Sequence, residues 1–283
     1  MSIVRTTLKE LGPNLPLGIG SAGKLIKPFE LRPYFTKFDR HLGEWKASNL
    51  SGYSDEAMVS AQISKLLSML CLSVGGKSFT LTEDGNSTPE AELEVLQWWY
   101  ADVMYMYVYA RLQELGPEIQ APASCPHRPC NWKTDAAIFD FSEINVATVE
   151  NIEDLHKWYK LAHPFKLRDG QTVLESVRIG PTRWTTMMKP GMLSGNLETV
   201  GFHAMQDSIC GINGEDKVYM MAPSELDQLR KRDRVQIDLI ADDVTGGVSF
   251  ALTLPCPDCG GPIVNPLNWE LSDFFSTSSP SGN

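Results

Sequence analysis

Cys256-Pro257-Asp258-Cys259-Gly260-Gly261, together with Cys125-Pro126-His127-Arg128-Pro129-Cys130, is the pattern on which the reading of this 283-residue chain turns. Each segment places two soft ligands on one short turn. Thiolates two to four residues apart bind one Zn2+ from neighbouring positions, and two such knuckles complete a tetrahedron. Gly260 and Gly261 suit the second knuckle, because the backbone N–H groups there must approach the sulfurs closely and glycine accepts a positive φ. The spacing predicts one structural metal ion held by Cys125, Cys130, Cys256 and Cys259, with Cys71 and Cys210 left free. A redox role for Cys256 and Cys259 would call for a helix N-terminus after a strand, whereas a Gly-Gly-Pro turn follows here. His127 is a competing ligand, although a histidine between two cysteines can equally be a mere neighbour.

A metal site joining residues 125 and 256 requires the intervening chain to return on itself, so the segments on either side define the fold. Upstream, Ser54 with Asp55 and Glu56 opens a helix in which Ile63, Leu66, Leu67, Leu70 and Val74 recur at helical spacing until Gly75-Gly76; Met69 and Cys71 read as core filling within it. A second helix is predicted from Glu90 to Leu115, closed by Gly116-Pro117. Trp98, Trp99, Tyr100, Val103, Met104, Tyr105, Met106, Tyr107, Val108 and Tyr109 put large side chains on all its faces, which fits either a central core helix or one that partly faces another protein. Phe35 to Ala47 reads as a shorter helix. Leu25 to Tyr34, punctuated by Pro28 and Pro33, reads as an edge strand or extended segment, and the residues before Pro28 read as an extended arm.

After Ala121 the texture changes to short strands: Ala136–Phe141, Gln171–Ile179, Val218–Ala222, and a final pair formed by Val235–Ile240 and Val248–Leu254. A short helix is expected from Ser224 to about Arg232, with Arg230, Lys231, Arg232 and Arg234 at its C-terminal end. The fold class is therefore α+β, an N-terminal helical region followed by a β-rich region with the cysteine knuckles. On this reading residues 1–120 form the arm and helical domain, 121–275 the zinc-binding domain, and 276–283 a flexible tail.

Composition sets the limits on function. Apolar residues at 42% and charged residues at 21% are those of an ordinary globular chain. A formal charge of -10 argues against wrapping phosphate backbones, and Lys65 interrupts the one segment, Ala57 to Val74, that approaches a membrane span. Charges near the start oppose a secretory signal, and paired cysteines fit a reducing compartment. The histidines at 41, 127, 156, 163 and 203 form no metalloprotease, hydrolase or phosphate-loop motif, and Asp102, the most buried-looking acid, reads as structural. No catalytic residue is predicted, and the chain is read as a non-enzyme.

The order of these features resembles a family of tailed-phage proteins, the baseplate hub or tail assembly proteins related to those of T-even phages. The resemblance is carried by Gly23-Lys-Leu-Ile-Lys-Pro-Phe-Glu-Leu-Arg-Pro33 with Phe38-Asp39, by the paired helices, by the two cysteine segments, and by Asn265-Pro-Leu-Asn-Trp-Glu-Leu-Ser-Asp-Phe-Phe275. The gap of four in the first cysteine pair departs from the tighter spacing expected of it. The resemblance implies a non-enzymatic part of a virion's tail baseplate, present in the host cytoplasm during assembly. Its partners would be other baseplate subunits, engaged through the N-terminal arm and the aromatic C-terminal peptide. The alternative is a zinc-ribbon adaptor for nucleic acid or a polymerase, favoured by the basic residues at 230 to 234.

Overall fold

A computed structural model describes residues 3–21, 23–49, 55–188, 197–215, 219, 221–249 and 251–266. The chain is α+β. Its main core forms around a helix, Tyr100–Leu115, in which every residue from Ala101 to Val108 is buried. Large side chains on all faces thus meet protein on all faces, as a central core helix requires. Phe29 packs edge-on against Tyr105 and Tyr109, and the Tyr105 hydroxyl donates to the Gly12 carbonyl at 2.5 Å.

Strands β1 (Ile3–Thr7), β2 (Asn14–Ser21) and β3 (Lys24–Leu31) precede helices α2 (Thr36–Asn49) and α3 (Asp55–Leu70), with the one-turn helix α1 (Leu8–Leu11) after β1. The segment read as an extended arm is therefore part of the core. Leu8, Leu15 and Leu17 are buried, β1 pairs with β8 (Asn145–Val149), and β2 pairs with β3. Its prolines and glycines hide the signal, because they break the alternation that marks a strand. β3 is internal, lying between β2 and β4 (Cys71–Val74) in the order β2-β3-β4-β5, with β5 at Lys77–Ser78. Pro28 is tolerated inside because the β2–β3 register shifts between Asn14 and Ile19.

Helix α3 ends earlier than its apolar periodicity implies, since Cys71 to Val74 leave it to pair with β3. Arg32 holds that junction, donating to the carbonyls of Met69, Cys71 and Phe79. The predicted helix 90–115 is two helices, α4 (Pro89–Val95) and α5 (Tyr100–Leu115). Residues 182–185 fill the break: Trp99 bridges Arg183, Trp184 N–H donates to Trp98 O, and Tyr100 N–H donates to Thr182 O. The Arg183 guanidinium lies 4.5 Å from the Trp99 ring centroid.

Beyond α5 come β6 (Glu118–Ser124), β7 (Lys133–Asp140), β8, β9 (Lys157–Lys166) and β10 (Val173–Ile179). They are followed by α6 (Leu197–Ser208), β11 (Ile209–Ile212), α7 (Pro223–Leu226), α8 (Lys231–Thr245), β12 (Gly247–Val248), β13 (Ala251–Pro255) and β14 (Pro262–Pro266). Val235–Ile240, expected as a strand, lies inside α8. Val235, Ile237 and Leu239 alternate, but Asp233, Ile237 and Val244 are the buried positions, and that spacing is helical. The partner of β13 is β14 instead. The basic residues at 230 to 234 accordingly stand at the start of a helix and not at its end. The expected strand 218–222 includes residues outside the described ones.

Two cores result. One gathers side chains from Leu8 to Val146 with Trp184, Val248 and Leu252; the other gathers Leu161, Leu174, Ile179, Met205, Ile237 and their neighbours between residues 161 and 244. The line drawn at 120/121 passes through the first core. In the second, buried carboxylates act as staples: Asp233 accepts from Tyr159 Oη, Ala162 N–H and His163, while Glu225 accepts from Arg168 N–H, Tyr219 Oη and Ala222 N–H.

Asp102 has the structural role expected of it. Its oxygens accept from Leu17 N–H at 2.8 Å and Gly18 N–H at 3.1 Å, tying β2 to the first turn of α5. Burial dominates its titration, outweighing those N–H groups and the nearby Lys27, and lifts it to about 7. A carboxyl raised in the folded state keeps its proton longer than in the unfolded chain, so its contribution is present below the unfolded value and lost as pH rises through about 7. The stability advantage of wild type over Asp102→Asn should therefore shrink between about pH 5 and about pH 8. Urea melts of both proteins at the two pH values measure it, and an advantage that grows with pH contradicts the assignment.

Candidate metal centre

The two cysteine pairs sit at the turns of two hairpins. β6 and β7 flank Cys125–Cys130, and β13 and β14 flank Cys256–Cys259. Each hairpin reaches its turn with paired strands, because Ser124↔Lys133 and Pro255↔Pro262 are the last pairs before the loops. The strands lie side by side, with Asn265 Nδ2 donating to the Pro122 carbonyl at 3.3 Å. Leu252 is buried in the main core, and Trp132 and Leu254 pack against it, so both hairpins are anchored to it.

All four predicted ligands converge. Their sulfurs lie within 4.8 Å of one another, with Cys125 Sγ 3.5 Å from Cys259 Sγ and Cys130 Sγ 3.7 Å from Cys256 Sγ. Four thiolates placed tetrahedrally about an ion with bonds of about 2.3 Å have sulfur–sulfur edges of about 3.8 Å. The residues present fit a metal ion. Cys71 and Cys210 stand apart: Cys71 is buried and its thiol is pushed up to about 12 by desolvation, and Cys210 donates to the Arg178 carbonyl at 3.5 Å.

Backbone donors surround the sulfurs. Burial alone would raise Cys256, but the N–H groups of Cys259 and Asp258 and the Cys130 and Cys125 thiols outweigh it and bring Cys256 down to about 7. Cys125 is pushed up to about 12, chiefly by desolvation, with the N–H of His127 opposing and the Cys259 thiol reinforcing the rise. At Cys130 the N–H of Trp132 lowers the value, while burial and the Cys256 thiol raise it further. Cys256 is therefore the most acidic of the three. A metal ion bound here would replace the protons the set otherwise shares.

The two glycines do different work. Gly260 has φ +71° and donates its N–H to the Cys256 carbonyl at 2.8 Å, which closes the knuckle. Gly261 makes room: a Cβ there would lie 2.4 Å from His127 Cδ2. The ring of His127 rests on that bare backbone, with Nε2 3.2 Å from the Pro262 carbonyl. His127 belongs to a contact between knuckles and lies outside the ligand set. The sequence signal for this was Gly261 itself, a second glycine where one suffices for the turn.

No family model, curated protein or solved structure matches this chain, so the reading of the site rests on its own geometry.

Gly261→Ala should displace the His127 ring and loosen the link between the knuckles without removing a ligand. We expect metal affinity to fall by about tenfold to about 100-fold, the range found for groups that support ligands. Competition with a chromophoric chelator measures it, and unchanged affinity refutes the role of the contact.

Proposed function

We propose that this protein is a non-enzymatic structural or assembly component held together by one structural Zn2+, and that it serves in the baseplate hub of a phage tail. The observation that carries the metal part is the convergence of four cysteine sulfurs within 4.8 Å of one another, joined by no His, Asp or Glu among the described residues. Thiolate sulfur and tetrahedral spacing favour Zn2+ over harder cations, which prefer oxygen. Four protein ligands fill the tetrahedron and leave no position for water or substrate, the pattern of a structural site. The ion would join two hairpins that the sequence holds far apart, so its binding energy would add directly to folding.

The baseplate part rests on the resemblance carried by residues 23–33, the helix pair, the cysteine segments and the peptide 265–275. Contacts with other subunits are assigned to that peptide, of which residues 267–275 lie outside the described ones, as do residues 276–283. The N-terminal segment is given no such contact, because its leucines are consumed by its own core. The adaptor reading retains one supporting observation, the exposed Arg230, Lys231, Arg232 and Arg234 around the start of α8.

Elemental analysis of the purified protein should give one zinc per chain. Cys259→Ser should release the metal and lower the melting temperature together; full occupancy in that variant refutes the assignment. Mass spectrometry of purified tails tests the location: stoichiometric presence supports the hub, whereas absence from tails combined with salt-sensitive retention on DNA supports the adaptor. Truncation after Pro266 should leave zinc content and melting unchanged while reducing incorporation into particles. The cut belongs there because Asn265 and Pro266 pair with Leu252 and Ala251. Unfolding of the truncated chain would place the peptide in the core and end its assignment as a contact.

A further inference from the structure

The outer face of α8 is arranged against the needs of a solitary helix. Val235 is 44% exposed and Leu239 is 56% exposed, one turn apart on the side opposite the buried Asp233, Ile237 and Val244. The charges around them run the wrong way for the helix dipole. Lys231, Arg232 and Arg234 crowd the N-terminal end, where positive charge is unfavourable and only the buried Asp233 offsets it, and Asp242 and Asp243 stand in the last turn, where negative charge is unfavourable. The pair Arg234 and Asp238 also has the less favourable i,i+4 orientation. Asp243 is engaged by Lys157, but neither Arg232 nor Asp242 forms an ion pair among the described residues.

An antiparallel copy of the same helix answers each of these features. Laid across α8 with the two-fold axis at the level of Ile237, it brings the partner's Leu239 against Val235 and the partner's Asp242 against Arg232, and symmetry repeats both contacts. The opposed helix dipoles then attract, and each charged end meets its opposite. We propose that the outer face of α8 is the contact of a two-fold dimer, in which a second copy of this chain lays its own α8 antiparallel across it. A single seam between helices about 22 Å long lies at the small end of protein interfaces, so the association is weak and concentration-dependent. It is independent of the metal centre and of the baseplate reading.

Charge exchange tests the geometry. Sedimentation velocity on the full chain from about 10 μM to about 1 mM should show reversible dimerisation, weakened by added salt. Arg232→Asp and Asp242→Arg should each weaken it by at least about tenfold, because each places like charges together twice in the dimer. The equimolar mixture of these variants should recover the affinity, since every contact in the mixed dimer is again between opposite charges, and so should the double variant. Either single change relieves the unfavourable dipole interaction, so melting temperatures should hold or rise while association falls. That outcome separates a lost contact from a lost fold. A chain that stays monomeric throughout, or singles whose mixture and double variant associate no better than they do, overturns the proposal.

Discussion

Cys125 and Cys259 are separated by 134 positions, yet their sulfurs lie 3.5 Å apart. Much else depends on that closure. Between the two knuckles lie β7 to β13 and the whole second core, so holding the hairpins together fixes where a long excursion leaves and rejoins the first core. Loop-closure entropy rises only slowly with length, and the cost of bringing such distant turns together would be modest beside the energy of a metal ion bound by four thiolates. The hairpins carry part of the task unaided, through Leu252 and Trp132 in the core and the Asn265 contact to Pro122. An ion at the tips would lock an arrangement that packing prepares.

Polar groups organise the interior as much as apolar ones. Asp102, Arg32, Lys65, Asp233 and Glu225 each join segments remote in sequence, and nearly all do so by bonding backbone groups that irregular geometry would otherwise strand. Lys65 is the exception, reaching the Ser87 hydroxyl at 2.7 Å and Glu92 at 2.5 Å from within α3. This pattern fits a chain of short strands, bulges and split helices, where the regular ladders end often and side chains must satisfy what remains.

The stapled turns, the anchored hairpins and the packed cores leave the face of α8 as an edge on which Arg232 and Asp242 form no ion pair among the described residues. The reading as an assembly component and the self-association of α8 rest on different parts of the molecule, and each stands or falls by itself.

The cysteine pairs, the α+β class, and the existence though not the bounds of the amphipathic helix before Gly75 and the crowded helix before Gly116 could be read directly, because each rests on local spacing that a single segment displays. Asp102 was also legible as a structural acid, since a carboxyl among the large apolar and aromatic side chains of residues 98 to 109 must find donors. Other features depended on partners far along the chain. The residues before Pro28 become strands only because β8 and Asp102 supply their hydrogen bonds, and Trp99 breaks its helix only because Arg183 and Trp184 take up the freed groups. Val235–Ile240 alternates like a strand, and only the placement of Asp233, Ile237 and Val244 where the helix packs on β9 and β10 selects the helix. His127 illustrates the same division: the sequence put it between two ligands, but whether its ring binds a metal or rests on Gly261 is decided by where the other hairpin lies. Local sequence determines which conformations and ligands a segment can offer, and tertiary structure selects among them because deciding hydrogen bonds and contacts come from residues 70 or more positions away.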